Sequence, residues 1–435
     1  MKRHLAGAIV GIVSTVAVLW GAGLLGGGAA DVPTAEGVAT SEGGAGAGDA
    51  ASSGGTVAGG GSVAGSGGGA GSGNAAGGGN AAGGGNAAGG GSGAGGEVDE
   101  EAPLFDGPYV FWSGEALAYV GSICGDSAVF ETFEGEPGSP FRIADPCAPE
   151  RTYEVDPSPP EPEPAVFEGG GRIFAVSDVE GNPDELRILL RAAGVIDETD
   201  RWAWGSDRLV FVGDMVDRGD QVTEELWWVH QLERQARQSG GRVHVVLGNH
   251  DAMLLYNDDR YAAEKYKLAA PKFRASLSGL YGPNTEMGRW LRSKPTLLRI
   301  GDVLFVHGGV SDQLAATGLD IHGVNEAIRL GLDEPWRSRA PGLLQMLFAT
   351  DGPLWYRGYF QDEELGPEQI AAALEPFGAR TVVVGHTIVR EVQPLHRGVV
   401  YGVNVTFTRA DRVQGLLIEN GRFQRVDAQG RVTPF

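Results

Sequence analysis

Five short apolar runs in this chain each stop at residues able to bind a metal or grip an anion. Ser177-Asp178-Val179-Glu180-Gly181 follows the run 172–176 and sets two carboxylates two residues apart. Gly213-Asp214-Met215-Val216-Asp217-Arg218-Gly219 follows 208–212, and Gly248-Asn249-His250-Asp251 follows 243–247. His307-Gly308-Gly309 follows 303–306, and Gly385-His386-Thr387 follows 381–384. Asp and Gly are ordinary turn residues, so the first loop alone carries little weight. No turn requires the two acids and the arginine of 213–219, which makes that loop the specific one. Together the loops offer oxygen and imidazole donors without thiolates, a set suited to Mn²⁺, Fe, Zn²⁺ or Mg²⁺. A carboxylate shared by two such ions about 3.5–4 Å apart suits water activation and in-line phosphoryl displacement. A lone histidine is ordinarily structural, and His230, His244, His322 and His396, which follow no such pattern, are read that way.

Residues that far apart in sequence meet only if their elements bring them together. Ligands in open α/β sheets sit beyond the carboxyl ends of strands, so the five runs are expected to be strands ending at one site. Helical segments alternate with them, one opening at Asn182-Pro183, where proline suits the first turn, and one spanning 223–237. This alternation predicts an α/β architecture with buried strands. Asn420-Gly421 between Leu416-Leu417-Ile418-Glu419 and Arg422-Phe423 signals a hairpin.

The rest of the chain divides by composition. Residues 1–30 pair Lys2, Arg3 and His4 with a long uncharged stretch, expected to be a signal peptide or, at spanning length, a membrane anchor. Residues 31–102 are Gly, Ala and Ser, with Asn-Ala-Ala-Gly-Gly-Gly at 74, 80 and 86, and are expected to be a disordered tether. Residues 103–156 read as a small β-rich module, and 157–165 as a proline-rich linker before a catalytic domain over 166–435. The arrangement places the catalytic domain in the cell envelope, outside the cytoplasm, anchored or secreted. With 34 basic against 56 acidic residues the net charge is −22, which disfavours nucleic acid as a partner. The two cysteines, Cys124 and Cys147, lie away from the chemical loops. They are either a disulfide or two buried thiols, and a thiolate nucleophile is not expected.

The order Asp178, Gly213–Gly219, Gly248–His250 and His307–Gly309 resembles that of the calcineurin-like metallophosphoesterase superfamily, and within it the phosphoprotein phosphatases. The strings Gly282-Pro283-Asn284-Thr285-Glu286-Met287-Gly288-Arg289-Trp290-Leu291 and Pro353-Leu354-Trp355-Tyr356-Arg357-Gly358 are similar to the Shewanella-like phosphatase branch. The resemblance spans about residues 170–410. It implies a β-sandwich flanked by helices, and two divalent ions, with Mn²⁺ favoured and Fe, Zn²⁺ or Mg²⁺ as alternatives. Asp178 would bind the first ion, Asp214 would bridge, and Asn249, His307 and His386 would hold the second. His250 would protonate the leaving oxygen, Asp217 would orient it, and Arg218 and Arg357 would grip the phosphate. The pattern's usual histidine after the first aspartate is Glu180 here, expected to ligate directly, with ligation through water or a weakly held first ion as alternatives. Its usual glutamate after Gly-Asn-His is Asp251, a shorter acid expected to matter less. The implied reaction is hydrolysis of a phosphate monoester, on a protein, by hydroxide held between the ions. A dinucleoside polyphosphate or other small phosphoester is the alternative substrate. A surface protein that binds phosphorylated ligands without turnover is the second alternative.

Overall fold

The computed structural model describes residues 103–339 and 341–435. The expected anchor over 1–30 and glycine-rich tether over 31–102 lie outside these residues. Among the described residues no helix is long and apolar enough to cross a membrane.

Two six-stranded mixed sheets carry the chemical loops. The first contains β7 (Ile173–Val176), β8 (Arg208–Val212) and β9 (Arg242–Val246), parallel to one another. It continues antiparallel through β15 (Gln414–Glu419), β16 (Arg422–Asp427) and β17 (Val432–Pro434), in the order β17-β16-β15-β7-β8-β9. The second contains β10 (Leu297–Ile300), β11 (Val303–Val306) and β12 (Thr381–Val384), flanked by β6 (Val166–Phe167), β13 (Gln393–Leu395) and β14 (Val400–Gly402). Its order is β13-β14-β12-β11-β10-β6, with β11, β12 and β14 parallel. All four residues of β7 and of β11 are buried, as expected of near-continuous apolar strands covered on both faces. The expected hairpin joins β15 to β16, with Asn420 and Gly421 at φ 52° and 74°, the pair of positive angles that a two-residue type I′ turn needs.

Helix α1 (Pro183–Ala192) opens on its proline and buries Leu186, Leu189 and Leu190, one face at helical spacing. Helix α2 (Val222–Gln238), one residue longer at each end than its sequence pattern indicates, packs against β9 and buries Leu226, Trp227, Val229 and Leu232. Each such side chain contributes about 1.5–3 kcal/mol by burial.

Ahead of the sheets, β1 (Phe105–Ser113), β2 (Leu117–Cys124) and β3 (Ser127–Glu134) form an antiparallel meander, and β4 (Phe141–Asp145) pairs with β5 (Ala148–Val155). Cys124 and Cys147 are disulfide-bonded, with Cα atoms 5.7 Å apart, and so tie the end of β2 to the β4–β5 turn. Closing this loop contributes about 3 kcal/mol on the chain-entropy account. The meander packs on the α/β portion through aromatic side chains. Trp112, 2% exposed, donates from Nε1 to Glu286 Oε2 at 2.8 Å, Trp227 Nε1 donates to Pro108 O at 2.7 Å, and Phe273 packs against Tyr109, Phe111 and Phe130. The proline-rich stretch is also fastened: Glu163 and Glu233 both meet the fully buried ammonium of Lys294.

Candidate active site

The carboxyl ends of β7, β8 and β9 in one sheet and of β11 and β12 in the other converge, and a bond from His307 Nδ1 to Val212 O at 2.8 Å crosses between the sheets there. The loops leave their strands in strained conformations. Of the twelve non-glycine residues with positive φ among the described residues, six are candidate site residues: Asp178, Glu180, Asp214, Asp217, Arg218 and His386. Each such conformation costs on the order of 1–3 kcal/mol and persists only where its surroundings enforce it. Glycine relieves the crowding at two points. A Cβ at Gly248 would lie 2.1 Å from Asp214 Oδ1, and one at Gly385 would lie 1.9 Å from Ser177 Oγ.

Asp214, 1% exposed, is the centre of the arrangement. Its Oδ2 meets His307 Nε2 at 3.0 Å, and its Oδ1 accepts the backbone N–H of His250 at 2.9 Å. Asp214 also belongs to two groups of side chains whose donor atoms all lie within 4.8 Å of one another, Asp214/His307/His386 and Glu180/Asp214/His250. Asn249 Oδ1 is 3.0 Å from His307 Nε2. Asp178 accepts from the Ser177 hydroxyl, from His386 N at 3.1 Å and from Asn404 Nδ2 at 2.7 Å. The buried Nε2 of His386 has no hydrogen-bond partner, while the Trp355 ring stands edge-on to its imidazole at 5.6 Å. An orphaned imidazole nitrogen beside carboxylates and a second imidazole fits a divalent cation.

Beside this centre, His250 Nδ1 bonds Asp217 Oδ2 at 2.7 Å, and its Nε2 lies 3.1 Å from Arg218 Nη2. Tyr261 flanks the ring at 5.0 Å. Arg218 also pairs with the Glu180 carboxylate. Arg357 donates from Nη1 to His386 O at 3.1 Å and to Thr387 Oγ1 at 3.3 Å, which aims its guanidinium along the same pocket. The pocket has a volume of about 390 Å³, and Ile388, Thr406 and Phe407 form part of its wall.

The buried charges shift one another. Burial pushes Asp178 up to about 6, against the lowering effect of His307. Burial acts to raise Asp214 too, but the charges of His307 and His250 outweigh it and hold the carboxyl below its usual range. Burial acts to lower His307, yet the charge and hydrogen bond of Asp214 carry it up to about 9. His386 is pushed down, by burial and then by His307. For His250 burial is outweighed by Asp214 and by the bond to Asp217, so its pKa is raised.

The structure therefore gathers every sequence-predicted site residue around one pocket, and Glu180 faces both Arg218 and the metal-ligand group. The four other histidines lie elsewhere. His230 stands edge-on between Trp227 and Trp290, His244 packs on Phe167, His396 bonds Tyr359 O, and His322 is exposed. Asp251 overturns the minor role that its shortness suggested: its carboxylate accepts the backbone N–H groups of Gly248, Asp214 and Met215 at 2.8, 3.0 and 3.1 Å, locking two of the loops together. Asn404 is a residue that the sequence reading missed. The apolar stretch Val399-Val400-Tyr401-Gly402-Val403 ahead of it has the same strand-end signature as the other five loops, and β14 does lie parallel to β12.

Residues 171–390 match the family described as calcineurin-like phosphoesterase. Shewanella-like protein phosphatase 2 of Arabidopsis thaliana is 27% identical over 270 residues, which cover 51% of this chain and 67% of that protein. A symmetrical bis(5'-nucleosyl)-tetraphosphatase of Methylococcus capsulatus is 35% identical over 138 residues, 32% of this chain and 43% of that protein. Among solved structures, the cold-active protein tyrosine phosphatase of a psychrophilic Shewanella species superposes with a TM-score of 0.71 at 34% identity, covering 76% of this chain and 99% of that one. The chain thus spans about two thirds of the plant relative and nearly the whole of the bacterial one. The fold, the ordered loops and the matched span agree: this chain belongs to the calcineurin-like phosphoesterase family.

Proposed function

We propose that this calcineurin-like phosphoesterase is a metal-dependent protein phosphatase that prefers phosphotyrosine. The observation that carries the reading is the placement of the His250–Asp217 pair and Arg218 against the Asp214/His307/His386 group in one pocket. Asp178, Glu180, Asp214, Asn249, His307 and His386 would hold two divalent ions, Mn²⁺ by preference, which supply Lewis acidity and activate water. The chain's own residues do the remaining work. Arg218 and Arg357 bind the phosphate oxygens with planar guanidinium donors. Asp217 fixes the His250 ring, and its Nε2, facing the pocket, delivers a proton to the departing oxygen. Burial is outweighed by the charge of Asp214 and the bond to Asp217, which raise the pKa of His250 and favour the protonated ring that this role needs. Glu180, which pairs with Arg218, would also offer its carboxylate to the first ion, and a carboxylate engaged there would leave the guanidinium free for phosphate.

The tyrosine preference is supported by the likeness to a structure titled a protein tyrosine phosphatase, by the exposed Ile388 in the pocket wall and by the exposed Tyr261 against the His250 ring, surface that an aryl group can cover. Nucleotide substrates are less well supported. Trp202, Trp204 and Trp290 are buried in the core, and Trp355 is half-buried with its ring edge-on to His386; none of the four lines the pocket. The catalytic unit is assigned to the cell envelope, a placement supported by residues 1–30 and by the Cys124–Cys147 disulfide, which persists in oxidising compartments. The test is hydrolysis of one peptide sequence carrying phosphotyrosine or phosphoserine. A kcat/KM higher for phosphotyrosine by about tenfold, or 1.4 kcal/mol, is expected; equal rates, or a diadenosine polyphosphate hydrolysed faster than both, contradict the assignment.

A further inference from the structure

A second concavity, of about 710 Å³, lies between the β4–β5 hairpin, α1 and α2. That volume falls within the range of about 300–1,000 Å³ common to ligand sites. Arg142, Arg151, Arg187, Arg201 and Arg234 reach it, against the three acids Glu154, Asp184 and Glu224. The five arginines exceed the three acids by two, in a chain whose net charge is −22. The acids are already engaged: Glu154 with Arg234, Glu224 with Arg151 at 3.4 Å, and Asp184 with Arg187 at 2.8 Å. Arg142 and Arg201 are exposed and make no ion pair among the described residues.

The floor is rigid and partly aromatic. Tyr153 packs on Trp227 at 4.5 Å, and Arg187 stacks over Trp228 at 4.7 Å. Gln231 bonds the backbone of Glu154 in both directions, at 3.2 and 3.0 Å, which seals the hairpin to α2. Gln221 and Gln238 also line the groove, with amides able to donate to and accept from a peptide backbone.

The groove adjoins the catalytic pocket. Asn182 lines the pocket and Asp184 the groove; likewise Arg218 lines the pocket and Gln221 the groove. Gly219 N donates to Glu180 O at 2.9 Å, so these two rim segments are bonded to each other. The two linings thus come within two chain positions of each other at Asn182 and Asp184.

We propose that this groove docks an acidic stretch of the phosphoprotein substrate that flanks the phosphorylated side chain. Arg142 and Arg201 pair with its carboxylates, and the glutamine amides hold its backbone. The proposal rests on the protein phosphatase reading for its role, but the docking itself is measurable without turnover.

The experiment uses the full chain and two peptides with the same phosphorylated core, one flanked by Asp and Glu and one by Ser and Gly. The acidic peptide is expected to have a KM lower by about fivefold at equal kcat, with the preference fading as salt rises. Arg142→Glu/Arg201→Glu is expected to abolish that preference, to leave para-nitrophenyl phosphate turnover unchanged and to favour a Lys-flanked peptide. Fluorescence anisotropy with the unphosphorylated acidic peptide reads docking alone; binding by the parent protein and its loss in the double variant support the site even if no phosphoester is hydrolysed. Equal KM values for the two peptides, retained preference in the double variant, or binding of a single-stranded oligonucleotide in place of the acidic peptide would overturn it.

Discussion

His250 is constrained on three sides, by Asp217 at Nδ1, by Arg218 near Nε2 and by Tyr261 against the ring. On its proposed role as proton donor to the leaving oxygen, His250→Asn should lower kcat by about 10²–10⁴-fold while shifting KM much less. Steady-state kinetics on an aryl phosphate checks this, and a change confined to KM would assign His250 to binding. Asp251 acts through the loops instead. Removing its carboxylate leaves three buried N–H donors without an acceptor, so Asp251→Ala should destabilise the protein by roughly 2–4 kcal/mol in denaturant titration and displace Asp214. The candidate ligand residues were legible in sequence because each stands where an apolar run stops, and five such stops together carry more acids and imidazoles than turns require. Asp251 was underrated because its partners are backbone groups of loops distant in sequence, and side-chain type does not reveal where a carboxylate points. The contact between Glu180 and Arg218 likewise depends on the left-handed backbone at both residues, which only coordinates show.

At the scale of elements, β8, β11 and β12 coincide with their apolar runs, and Asn420-Gly421 marks the hairpin turn. Strand existence is local information; strand partnership is not. The division of the five strands between two sheets, and the addition of β15 alongside β7, are long-range choices that short apolar runs do not encode. β14 escaped notice because it is only three residues long. His244 shows what burial in such a strand does to a titrating group. Burial, reinforced by the charges of Arg208 and Arg242, pushes its pKa down to about 3, from an ordinary value of 6.5. Its folded pKa is depressed, so the neutral ring is favoured above pH 6.5, and stability is lost as pH falls from there toward 3. The full span corresponds to on the order of 3–5 kcal/mol. His244→Leu should flatten this part of the stability–pH curve, because it removes the titrating ring, and the buried Nε2 has no hydrogen-bond partner to strand; thermal melts between those limits that run parallel to the parent protein's would contradict it.

For the whole molecule, composition separated a glycine-rich stretch from a globular one and placed the cysteines away from the chemistry. It did not reveal how the meander β1–β3 is held. Trp112 to Glu286, Pro108 to Trp227 and the aromatic cluster around Phe273 bind it to the α/β layers, while Glu163 pins the proline-rich stretch to Lys294. These contacts join residues far apart in sequence, through side chains that look like ordinary core formers, so no local pattern announces them. One consequence is the arginine-lined groove beside the pocket, built jointly by the hairpin and the helices.

Asp214 stands at the centre of the proposed metal-dependent phosphoesterase site. The most direct test is hydrolysis of para-nitrophenyl phosphate by the full chain after chelation and separate readdition of Mn²⁺, Zn²⁺ or Mg²⁺, with Asp214→Asn alongside. Turnover lost on chelation, restored by an ion, Mn²⁺ best, and absent in Asp214→Asn is the predicted result. A folded protein that hydrolyses nothing with any ion, or an Asp214→Asn variant as active as its parent, would contradict it.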